Sequence, residues 1–128
     1  MITLTAPDDS QVTIDGRLVA RARRTVSGEN ADARTRVDWA IMSLVKEPLD
    51  DVAARVKAEL PSFTALTSRD GSRIWFNAKA AVGPLPITAS QRTGGVKSSI
   101  KIMNYRQYVT ETPAEVRQVL ADAGGTPL

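Results

Sequence analysis

The side chains in this chain that could do chemistry are carboxylates, arginines and lysines, because its 128 residues include no histidine and no cysteine. That removes the commonest general base, the commonest zinc ligand, thiolate nucleophiles and disulfides. Asp50-Asp51 comes nearest to a carboxylate pair. Adjacent residues in a first helical turn point apart, so the pair reads as negative charge set against a helix start rather than as acid–base or metal chemistry. Asp8-Asp9-Ser10 has the composition of a turn. Gly94-Gly95-Val96-Lys97 puts a lysine near glycines without the spacing of a phosphate-cradling loop, and no Gly-x-Ser-x-Gly elbow occurs. The expectation is a protein that is not an enzyme and takes no cofactor or metal.

Basic and aromatic side chains are the stronger candidates, and they suit binding. Arg17, Arg21, Arg23 and Arg24 form a dense run, with Arg34 and Arg36 following. Lys97, Lys101 and Arg106, with Tyr105 as a stacking platform, would extend a basic surface for nucleic acid. Asp8, Asp9, Asp15, Glu29, Asp32 and Asp38 surround the first run and lower its field. Residues 1–60 carry nine Lys/Arg against ten Asp/Glu, and residues 61–128 carry eight against four, for a net charge of +3 overall. That asymmetry would attract phosphate or an acidic protein, while a solvated sheet face explains it more simply. Among two each of Trp, Tyr and Phe, the candidate protein-binding anchors are Trp75, Tyr105 and Tyr108. Trp39 sits with Val37 and Ile41 and reads as core. Trp75 alternates with Ile74 and Phe76, so its side of the strand needs cover, from the other half of the chain or from a partner.

The elements that must position these side chains begin with Ile2-Thr3-Leu4-Thr5 and Gln11-Val12-Thr13-Ile14-Asp15, which alternate around a polar turn and predict a β-hairpin. Arg17 to Thr25 is compatible with a basic strand or a short helix, the strand being preferred. Thr35, Val37, Trp39, Ile41, Ser43 and Val45 mark alternate positions of one long strand. Leu49, Val52, Ala53, Val56 and Leu60 then form the apolar stripe of a helix. A second hairpin is predicted from Phe63-Thr64-Ala65-Leu66-Thr67 and Ile74-Trp75-Phe76-Asn77 around an Asp70-Gly71 turn. Gly83-Pro84-Leu85-Pro86 breaks regular structure or confines it to an edge. Ser90 to Gly95 reads as a loop, and a strand from Ile100 to Val109 follows. Thr112-Pro113-Ala114-Glu115 is a capping box with proline at the first helical position, ahead of the apolar stripe Val116, Val119, Leu120 and Ala123.

Val45 to Val52 and Val109 to Val116 align at an offset of 64 residues, and the two hairpins at 62, so the chain reads as one unit written twice. The fold expected is α+β: two tandem ββββα-like repeats, 1–60 and 61–125, packed as a pseudo-twofold unit around a shared core, with 126–128 as a tail. No apolar run approaches the roughly 18–20 residues that span a bilayer. Nor does Met1-Ile2-Thr3-Leu4-Thr5 look like a signal peptide. A cytoplasmic protein, or one built into a particle assembled there, is the expectation.

Leu66-Thr67-x-x-Asp70-Gly71, Phe76-Asn77-Ala78 and Val109-x-Glu111-Thr112-x-x-Glu115-Val116 resemble the FlbD/SwrD-like family of small bacterial proteins linked to flagellar and swarming motility. The first half matches more loosely. The resemblance implies a small β-rich unit and no catalytic residues. The functional expectation is an interaction or assembly module, an accessory part of a motility apparatus or a phage particle. Its partner would be a protein, with self-association possible but not required. A nucleic-acid-binding regulator is the alternative.

Overall fold

The computed structural model describes residues 1–128. The fold is α+β, with strands β1 (Ile2–Thr5), β2 (Gln11–Ile14), β3 (Arg21–Arg24), β4 (Thr35–Asp38) and β5 (Met42–Val45) leading into helix α1 (Leu49–Glu59). Strands β6 (Phe63–Thr67), β7 (Arg73–Asn77), β8 (Ala81–Leu85), β9 (Ser98–Ile102) and β10 (Tyr105–Val109) then lead into α2 (Pro113–Asp122). Short 3-10 turns follow β2 and β7, at Gly16–Leu18 and Ala78–Ala80, each opened by an Asx side chain: Asp15 accepts from the Arg17 N–H, and Asn77 from the Lys79 N–H. A third lies at Ala89–Gln91. No helix is long and apolar enough to cross a membrane.

Every strand pair is antiparallel. The strands make a two-stranded sheet β1-β2, a three-stranded sheet β10-β9-β8 and a five-stranded sheet β5-β4-β3-β7-β6. The last of these crosses the chain's midpoint, because β3 pairs with β7 through Arg21 opposite Phe76 and Ala22 opposite Trp75. Strand β8 pairs only with β9, with a register shift between Val82 and Leu85, as an edge strand carrying proline must.

Each half carries five strands rather than the four expected. The single long strand predicted from Thr35 to Val45 is two, folded back so that Asp38 faces Met42, with Trp39 N–H donating to Ile41 O at 3.0 Å. The turn holds three residues, Trp39-Ala40-Ile41, and an odd number keeps Val37 and Ser43 on one face, so the period-two spacing runs through the reversal. No glycine, proline or asparagine marks it. The Ile100-to-Val109 strand is likewise a hairpin, turning at Met103-Asn104. The basic stretch is a strand only from Arg21, since Arg17 belongs to a 3-10 turn.

Local bonds explain the rest. Both first hairpins close through an aspartate: Asp8 accepts from the Ser10 N–H, and Asp70 from the Ser72 N–H, each at 2.9 Å. Residues Asp9 (φ 71°) and Gly71 (φ 86°) then take the left-handed conformation. Thr112 caps α2 as read, its hydroxyl accepting from the Glu115 N–H at 3.2 Å while Glu115 accepts from the Thr112 N–H at 3.0 Å. Helix α1 starts at Pro48 without a side-chain cap.

The core takes the form of two apolar clusters with exchanged members. One gathers Ile14, Val19, Val37, Val45, Val52 and Val56 of the first half with Phe63 of the second, and Trp75 packs against it. The other gathers Leu66, Ile74, Phe76, Ile100, Val116 and Leu120, with Ala20 of the first half against it.

Candidate functional site

The arginine run resolves into an internal ion network. Arg21 is buried, as is Asp38, and its Nε donates to Asp38 Oδ2 at 2.9 Å. Arg36 Nε donates to the other oxygen of Asp38 at 3.0 Å. Glu29 accepts from both guanidine nitrogens of Arg23, each at 3.1 Å, and pairs with Arg36 at 3.5 Å. Burial works against Glu29's charge, but the bonds from Arg23 and the Val26 N–H outweigh it and hold its carboxyl below the usual range. Burial pushes the Arg21 guanidinium down, opposed by Asp38.

Tyr105 completes this network from the other sheet. Its ring lies under Arg21 at 4.2 Å and under Arg36 at 5.5 Å, and its hydroxyl accepts from Arg36 at 3.4 Å. Gln107 accepts from Arg21 at 3.3 Å. β10 is thereby docked on β3 and β4 by charge and aromatic contact rather than by backbone pairing.

The remaining candidates are dispersed. Arg17 is exposed and bonded to Asp15, two residues away. Arg24 is exposed and unpaired. Lys97 and Lys101 are exposed on and beside β9, Lys101 opposite Arg106 on β10. Arg106 donates to Ser99 Oγ and Pro86 O and lies 5.9 Å from the Tyr108 ring. Tyr108 is half-buried, its hydroxyl accepting from Gln91 at 2.8 Å. Trp75 is half-buried against the cluster built mainly from the first half; it stacks on Phe63 of its own half with ring centroids 5.7 Å apart, and its indole N–H is buried without an acceptor. Trp39 is half-buried against the same cluster, its N–H donating to Ser43 at 3.0 Å.

A feature the sequence reading missed is an apolar groove of about 500 Å³. Trp39 and Tyr105 line it beside four exposed side chains, Leu18 (55% exposed), Ile41 (64%), Met42 (49%) and Met103 (60%). These come from the 3-10 turn after β2, the β4–β5 turn, the first residue of β5 and the β9–β10 turn. Met103 also holds φ at 54°. A two-residue hairpin with positive φ at its first residue takes glycine or asparagine there, since a Cβ costs roughly 1–2 kcal/mol. The available signal was chemical: two turns built from Trp-Ala-Ile and Met-Asn, where turn residues belong.

No three acidic side chains converge on a point that could hold a metal. Comparison with known proteins returns no matching family model, relative or solved structure.

Proposed function

We propose that the chain is a non-enzymatic assembly module that seats a protein partner on the Leu18–Ile41–Met42–Met103 groove. The observation that carries this is Met103, a large apolar side chain kept both exposed and strained. Strained, exposed residues cluster where a surface is used, and an exposed apolar cluster of this kind marks a docking site. Methionine and leucine side chains adapt to a partner's shape. The partner presents an apolar ridge or helix face, within a larger structure such as a motility apparatus or a particle.

The same reading holds that the chain is a tandem duplication of one unit, two strands, three strands and a helix. Matched long-range bonds support it. Lys46 N–H donates to Thr5 O, and Thr110 N–H to Thr67 O. Glu47 accepts from the Thr5 N–H, and Glu111 from the Thr67 N–H. A closed twofold arrangement would add β8–β2 pairing to β3–β7. Those strands lie in separate sheets, so the duplication rests on element order and matched bonds.

The test compares wild type with an Ile41→Asp/Met103→Asp variant, immobilised and exposed to extract of the native host over a range of salt. A partner held at high salt by wild type and released by the variant supports the reading, with unchanged circular dichroism as the folding control. Identical retention by both sinks it.

A further inference from the structure

Two further clefts, which share no lining residue with the apolar groove, are lined by both halves of the chain. One, of about 660 Å³, is lined by Arg24, Arg34 and Arg73 with Thr25, Ser72 and Asp50. The other, of about 740 Å³, is lined by Arg23, Arg24 and Arg69 with Ser72, Asp70 and Tyr108. Arg24 and Ser72 belong to both, so the two form one trough. Arg24, Arg34, Arg69 and Arg73 are exposed, and none forms an ion pair. Two carboxylates face them. Asp70 is already engaged by the Ser68 and Ser72 hydroxyls and the Ser72 N–H.

We infer that this trough binds the phosphodiester backbone of nucleic acid. Arg17, Arg21, Arg23 and Arg36 have carboxylate partners within 3.5 Å, whereas Arg55, Arg92, Arg106 and Arg117, like the trough arginines, have none but are scattered over the rest of the chain. The trough's four, drawn from β3, from the segment before β4, from the β6–β7 turn and from β7, are brought together by the β3–β7 pairing across the chain. Guanidinium forks match phosphate oxygens in two-point geometry, and the Thr25 and Ser72 hydroxyls add neutral donors of the kind that contact phosphates. Charges carried on four separate segments fit a repeating polyanion better than one small anion. Of the basic surface expected from Arg17, Arg21, Arg23, Arg24, Lys97, Lys101 and Arg106, the site keeps only Arg23 and Arg24 and adds Arg34, Arg69 and Arg73; none of its lining residues lines the apolar groove.

Fluorescence anisotropy with a labelled single strand, a labelled duplex and labelled poly-glutamate, each over a salt series, tests it. Four phosphate contacts give log K against log salt a slope of about −3 for a single strand and about −3.6 for a duplex. An Arg69→Ala/Arg73→Ala variant flattens that slope by about 2 and weakens binding roughly 30-fold near 0.1 M salt. A Lys101→Ala/Arg106→Ala variant and the Ile41→Asp/Met103→Asp variant leave it unchanged. Both trough positions are exposed, and an unaltered melting temperature confirms that the variant is folded. Absence of salt-dependent binding to either nucleic acid overturns the inference. So does equal binding of poly-glutamate, or loss of binding through Lys101 and Arg106 instead.

Discussion

Asp38 stands between two guanidinia, and the surroundings of each decide what its loss would cost. Arg21 is sealed under the Tyr105 ring, whereas Arg36 keeps a fifth of its side chain in solvent. Removing Asp38 lets Arg36 rehydrate but strands a buried Arg21 charge, which costs about 3 kcal/mol or more. Asp38→Leu is therefore expected to lower urea stability by that amount. Arg21→Met/Asp38→Leu, which removes both buried charges together, should recover most of the loss; an additive double variant would mean that Arg21 is not sealed. Asp70 behaves differently because it is exposed. Bonds from the Ser68 and Ser72 hydroxyls and the Ser72 N–H lower its pKa from 3.8 to about 2. The folded value is the lower one, so the stability it contributes is complete above pH 3.8 and disappears as pH falls towards about 2. Melting temperatures of wild type and Asp70→Asn should differ at neutral pH and converge through that window. A gap that persists to its acid end would contradict the assigned bonds.

Caps and turns set the energetics of the elements. Thr112→Ala removes a side-chain bond to the first turn of α2 and should cost about 1 kcal/mol, while Pro48→Ala at the uncapped start of α1 loses no such bond. Chemical denaturation that ranked the two losses equally would remove the capping box as the reason. Both devices were legible in the sequence because a cap involves residues three apart. So were the Asp-Gly turn and the first hairpins. The β4–β5 and β9–β10 turns were not: Trp39-Ala40-Ile41 keeps alternate spacing through a reversal, and Met103 takes a conformation that its type disfavours. The groove was hidden for the same reason, since Ile41 and Met103 sit on those turns and Met42 begins the strand after one of them. Arg21 could not be placed from sequence because its carboxylate partner Asp38 is 17 residues away, with no helical or turn spacing to link them, and Gln107 is 86 residues away. Met103→Gly follows directly. Relief of the left-handed Cβ, less the added chain entropy of glycine, should raise stability by about 0.5–1 kcal/mol, a few degrees in melting temperature, while weakening partner capture. A variant that is less stable than wild type, or that binds as well, would leave the Met103 strain without a functional reason.

At the scale of the whole molecule, two apolar clusters suggest two folding units, yet the connections between them argue for one. The five-stranded sheet takes three strands from the first half and two from the second, joined at β3–β7. Phe63 is completely buried in the first cluster, with Trp75 stacked on it, although both belong to the second half of the chain. The Arg21–Tyr105 contact adds a further tie, between sheets. A segment of about 60 residues buries too small a fraction of its surface to be more than marginally stable alone. Here each would also expose the strand edge and the apolar residues its neighbour covers. Heat should therefore unfold the full chain in one cooperative step, with calorimetric and van't Hoff enthalpies equal. Residues 1–60 or 61–128 expressed separately should show no sigmoidal transition by circular dichroism. Two resolved transitions, or a half that melts cooperatively alone, would mean that each cluster is a domain and that β3–β7 is a docking contact. In that case the arginine trough, whose lining comes from both halves, would open whenever the two separate. Anion binding would then be coupled to their association, and nucleic acid would raise the temperature at which they part.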